Sequence, residues 1–198
     1  MLNSKWLLTS LALVLIPATA MAAASDSEGV AINGSVADTC TLGVPSQTAA
    51  NNGALNAGAT NAAAEIEFTS LADAATALYT GGGSSVTITM AGMCNYASNL
   101  AVMSTAGSLV NTSGVSVVAG SLPFVDKIYY TAGANWGGQS TSVGAFDVPG
   151  IKNNTPISGA LLDDIDLTVT LFGTNNSGSP LLTGTYSDVV TLQIGAAL

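Results

Sequence analysis

The chain has 198 residues and a formal net charge of −9 at pH 7, with only three basic residues and no His; 48% of it is apolar and 8% charged. So few cations exclude a phosphate-binding stripe, which argues against nucleic acid or an anionic membrane surface as a partner. Without His there is no base to serve a Ser or Cys nucleophile and no supply of the commonest zinc ligand, so neither an enzyme nor a cofactor- or metal-binding protein is expected.

The first residues carry one positive charge, Lys5, then an apolar run over residues 7–16 and the small-residue pattern Ala20-Met21-Ala22. That order is a secretory signal peptide, with cleavage expected after Ala22. The apolar run is shorter than the ~20 residues a spanning helix needs. Removal of residues 1–22 leaves Lys127 and Lys152 against 12 acids in an exported chain, long enough for one domain with a sizeable core. In an oxidising compartment the two cysteines, Cys40 and Cys94, are expected to pair rather than remain free thiols.

After a polar stretch at residues 25–29, Val30, Ile32, Gly34 and Val36 alternate with polar or small residues, a half-buried strand pattern. Residues 45–64 are rich in Ala, Asn and Gly without apolar periodicity and read as an irregular excursion. Ile66 and Phe68 mark a short strand, and residues 71–79 suit one or two helical turns ended by Gly81, Gly82 and Gly83. Val86, Ile88 and Met90 alternate with threonines and deliver Cys94 on a strand. Residues 100–103, 115–118, 127–130 and 145–148 are further short strands between turn signals, with Trp136 read as a loop aromatic over a core edge.

Ile165, Leu167, Val169 and Leu171 form the cleanest alternation. It turns Asp164 and Asp166 outward, a solvated face rather than a calcium site; Glu65 and Glu67 likewise flank Ile66 without an apolar setting suited to acid–base work. A turn over residues 175–180 is expected to join this strand to the last one as a hairpin. In that closing strand Tyr186, Val190, Leu192 and Ile194 share one face, while Asp188 and Val189 break the alternation. About seven short strands, one disulfide and no long helix give an all-β, antiparallel β-sandwich.

Four segments together resemble the pilin subunits of archaic chaperone-usher fimbriae, the family grouped with spore coat protein U. They are Val30-x-Ile32-x-Gly34-x-Val36 running to Cys40-Thr41-Leu42-Gly43, the strand from Val86 into Cys94, Lys127-Ile128-Tyr129-Tyr130, and Gly184-x-Tyr186-x-Asp188. The chain runs on past Ile194 to Leu198, beyond the point where the family usually stops. The resemblance implies an incomplete immunoglobulin-like sandwich over residues 38–198, preceded by a donor extension at 23–37.

In such subunits Tyr186, Val190, Leu192 and Ile194 would line an acceptor groove, held first by a periplasmic chaperone. Val30, Ile32, Gly34 and Val36 of another copy would then fill it as a donor strand, with assembly at an outer-membrane usher. The implied product is a cell-surface fimbria serving adhesion and biofilm formation. The rival reading is a secreted β-sandwich, a glycan-binding or coat protein that never polymerises.

Overall fold

The computed structural model describes residues 33–115, 124–173 and 179–196. The chain divides into two units, Met1–Val36 and Ala37–Leu198. Within the second, the described residues are all-β. The first strands are β1 (Cys40–Leu42), β2 (Ser46–Asn51), β3 (Gly53–Leu55), β4 (Ile66–Phe68), β5 (Ser85–Cys94), β6 (Ser98–Ser104) and β7 (Leu109–Asn111). They are followed by β8 (Lys127–Ile128), β9 (Tyr130–Trp136), β10 (Gln139–Ala145), β11 (Lys152–Ile157), β12 (Leu161–Leu171), β13 (Tyr186–Ser187) and β14 (Val190–Gly195).

Two main sheets share the core. The larger runs β1-β5-β12-β9-β10, with β2 continuing along the same edge of β5 as β1, and the smaller runs β11-β6-β14. Every pairing between these strands is antiparallel. The period-two pattern explains the centre: β12 buries Ile165, Leu167, Val169 and Leu171, and β5, paired with it from Leu161↔Cys94 to Thr170↔Ser85, buries Val86, Ile88 and Met90. Leu100 and Val102 of β6 close the same core from the smaller sheet. Two facing antiparallel layers around one apolar interior fit a β-sandwich.

Several expectations change. Residues 45–64 are not wholly irregular: β2 pairs with β5 through a bulge between Gln47 and Ala49, and β3 pairs with β4. All six residues of β2 are exposed, so this edge strand needs no apolar periodicity; backbone pairing with β5 holds it, helped by side-chain hydrogen bonds from Ser46, Thr48 and Asn51. Residues 71–79 form no helix. Asp73 accepts from the backbone N–H groups of Ala75 (3.1 Å) and Thr76 (2.8 Å) and fixes a tight turn, closed by an Ala72↔Tyr79 bridge.

Trp136 lies not in a loop but at the end of β9, wholly buried, its Nε1–H donating to the Asp163 carbonyl at 3.1 Å. Nor do β12 and the closing strand form a hairpin. β12 pairs with β5 and β9, and β14 pairs with β6 in the other sheet, so the chain crosses between layers there. The strand expected at 145–148 ends at Ala145, and β11 follows unannounced by periodicity because Pro156 and the asparagines sit on an exposed edge. The candidate at 115–118 falls largely outside the described residues.

Candidate functional site

Cys40 and Cys94 form a disulfide that ties the first residue of β1 to the last of β5, directly opposite each other in register. Next to it Asn95 holds the incoming chain: its Nδ2 donates to the Ala37 carbonyl (2.8 Å), its Oδ1 accepts from Thr39 N–H (2.8 Å) and its own N–H donates to the Thr39 carbonyl (3.1 Å). The domain therefore begins at a fastened corner.

The closing strand β14 pairs with β6 from Val190↔Ser104 to Gly195↔Asn99. No described strand pairs with its other side. Beside that free edge runs a groove of about 850 Å³, lined by β14 on the smaller sheet, by Leu42 of β1 and Pro45, and by residues 60–68, which include β4. Its apolar lining includes Ile66, Phe68, Ile88, Leu167, Val190 and Leu192. Tyr186, Val190, Leu192 and Ile194 all pack against the core yet stay half-buried, so the core is covered less completely along this side. Tyr186, Val190 and Leu192 line the groove itself; Ile194 packs beside it.

The start of the strand is fixed by a polar network. Asp188 Oδ2 accepts from the Tyr130 hydroxyl and from Ser104 Oγ, each at 2.6 Å, and its Oδ1 accepts from Ala106 N–H at 2.7 Å. Burial, reinforced by the neighbouring carboxylate, pushes the Tyr130 hydroxyl well above its ordinary pKa. Burial raises Tyr186 too; its hydroxyl lies 2.8 Å from the Leu182 carbonyl and 3.0 Å from that of Val125. Gly184 has φ +140°, and a Cβ there would collide with Ser113, so the turn into β13 admits only glycine.

Of the donor residues read from the sequence, Val30 and Ile32 lie outside the described residues. Gly34 and Val36 carry no strand assignment, and Val36 is 86% exposed. The chain beyond Ile194 completes β14 with Gly195, and the Ala196 N–H donates to the Tyr96 hydroxyl at 3.1 Å. Asp166 accepts from Thr89 on the outer face, and Asp163 and Asp164 are exposed beside it. Periodicity alone did not point to Ser104 and Tyr130 as partners of Asp188. The only signal was the break that Asp188 makes in the alternation.

No protein-family model matches the chain, and no curated protein matches it significantly in sequence.

Proposed function

We propose that the chain is a structural pilin of an archaic chaperone-usher fimbria, exported through the periplasm and polymerised at the cell surface by donor-strand exchange. The observation that carries this reading is an open strand edge beside an apolar groove: among the described strands β14 pairs with β6 alone, and the groove at its other side has the half-buried Ile66, Phe68, Val190 and Leu192 in its lining. An unpaired strand edge beside half-buried apolar side chains is an aggregation hazard. A strand added from outside satisfies both at once, its N–H and C=O groups pairing with β14 and its alternate side chains filling the groove.

Val30, Ile32 and Val36 have the right spacing for that role. Burying three aliphatic side chains contributes on the order of 5 to 9 kcal/mol before backbone pairing is counted. Gly34 would fall where a side chain has no room. A periplasmic chaperone would hold the groove before assembly, an outer-membrane usher would join the copies, and the fimbria would serve adhesion and biofilm formation.

The test is an unboiled denaturing gel of surface-sheared protein. A ladder that collapses to monomer on heating is expected, and a lone monomer band in both lanes would sink the proposal. Ile32→Asp should abolish the ladder while leaving the chaperone complex intact. Loss of that complex as well would place Ile32 in the subunit's own core.

A further inference from the structure

Besides Leu78, Val115 and Phe124, the large apolar side chains left exposed on the described part of the domain lie at its two ends. Val44 (61% exposed) and Leu162 (77%) lie at the disulfide end: Val44 follows Gly43, whose N–H donates to Ala91, and Leu162 pairs in register with Met93, next to Cys94. Phe146 (42%), Val148 (51%) and Val189 (62%) lie at the opposite end, where β14 begins. The latter three form one rim. Thr105 N–H donates to the Val189 carbonyl (3.0 Å) and Gly150 N–H to that of Thr105 (3.0 Å), while Asp147 N–H donates to that of Gly107 (2.8 Å). Val148 backbone atoms occupy the place a Cβ on Gly107 would need. Phe146 carries the rim onto the outer face of the larger sheet, edge-on to Phe172 (4.8 Å between centroids) and to Tyr129 (6.0 Å). Val189 also lines the groove, so the rim starts at the groove's mouth.

At the other end the chain enters the domain without slack, because Asn95 clamps Ala37 and Thr39. A donor strand that ends at Val36 is thus followed at once by a fastened residue, and a single residue spans at most about 3.6 Å. Every pairing between strands of the two main sheets is antiparallel. A donor that obeys the same rule lays Val36 at the start of β14, beside Val189, and so brings its own disulfide end against the rim.

We propose that in the filament the rim of Val189, Val148 and Phe146 on one copy packs against the disulfide end of the copy whose strand it holds, with Val44 and Leu162 opposite it. The contact rests on the donor-strand reading above. Exposed apolar patches of this kind mark contact sites. A heterologous contact that repeats from copy to copy stiffens an open filament. A donor parallel to β14 would carry its domain to the opposite end and leave the rim bare.

The experiment places a photo-crosslinking amino acid at Val148 of the full chain, with Phe146 as a second position, and irradiates the surface filaments. The expected result is a new dimer that survives heating in denaturant, whose crosslinked peptide contains Val44 or Leu162. An intact heat-labile ladder that yields no heat-stable dimer, or crosslinks that map elsewhere, would overturn the end-to-end contact and leave strand exchange standing. Absence of any ladder from the unsubstituted protein would overturn strand exchange and this contact together.

Discussion

Asp188 breaks the alternation of the closing strand because its carboxylate is needed sideways. It receives Tyr130, Ser104 and the Ala106 N–H, and so holds the end of β6 and the entrance of β14 against β9. Hydrogen bonds to a charged acceptor are worth about 1.5 to 3 kcal/mol each, and removing the acceptor leaves buried donors short. Asp188→Ala should therefore lower the free energy of unfolding by at least about 2 kcal/mol, read from a denaturant melt; a change within error would mean the network is decorative.

The tyrosines add a pH dependence of definite sign. Tyr130 and Tyr186 are raised by burial, and Tyr79, buried with no partner for its hydroxyl, is pushed up to about 12. Each folded value lies above the unfolded one of about 10. Their contribution is complete below that pH and is lost as the pH rises through the folded values. Melting temperature should fall steeply above pH 10. Tyr130→Phe should be less stable at neutral pH yet show a shallower alkaline fall; an unchanged slope would remove Tyr130 as a cause.

Among the elements, β1 is the short strand held by a covalent tie. It is three residues long and bonds to β5 alone, and the disulfide locks its first residue. Closing a loop of sequence separation 54 is worth roughly 4 kcal/mol in the chain-entropy account. Reduction, or Cys40→Ser with Cys94→Ser, should move the urea midpoint down accordingly, with hydrogen exchange first quickening along β1. An unmoved midpoint would show that the strand pairing suffices without the covalent tie.

The strands that were legible in the sequence are those buried on one face, β5 and β12, where water selects every second residue. β2 was not legible, since an edge strand with both faces in solvent leaves no period to read. The closing strand's residues were found, but its partner was not. Periodicity fixes a strand's faces and says nothing of which sheet it joins, and the crossover from β12 to β14 is a matter of tertiary packing. Trp136 was misplaced for a related reason, its glycine neighbours suggesting a loop where the chain makes a hairpin between β9 and β10.

At the scale of the whole molecule, the proposed donor-strand exchange would use the open edge of β14 and its groove at one side and the fastened corner at Asn95 at one end. Under that proposal a copy that fills its neighbour's groove would leave its own groove empty for the next, the heterologous contact that builds an open filament. Imaging of the surface filaments at side-chain resolution bears most directly on this account. Residues 30–36 of one copy are expected to lie antiparallel to β14 of the next, with Val30, Ile32 and Val36 turned into the groove; β14 with a bare edge, or paired with a strand of its own copy, would contradict donor-strand exchange.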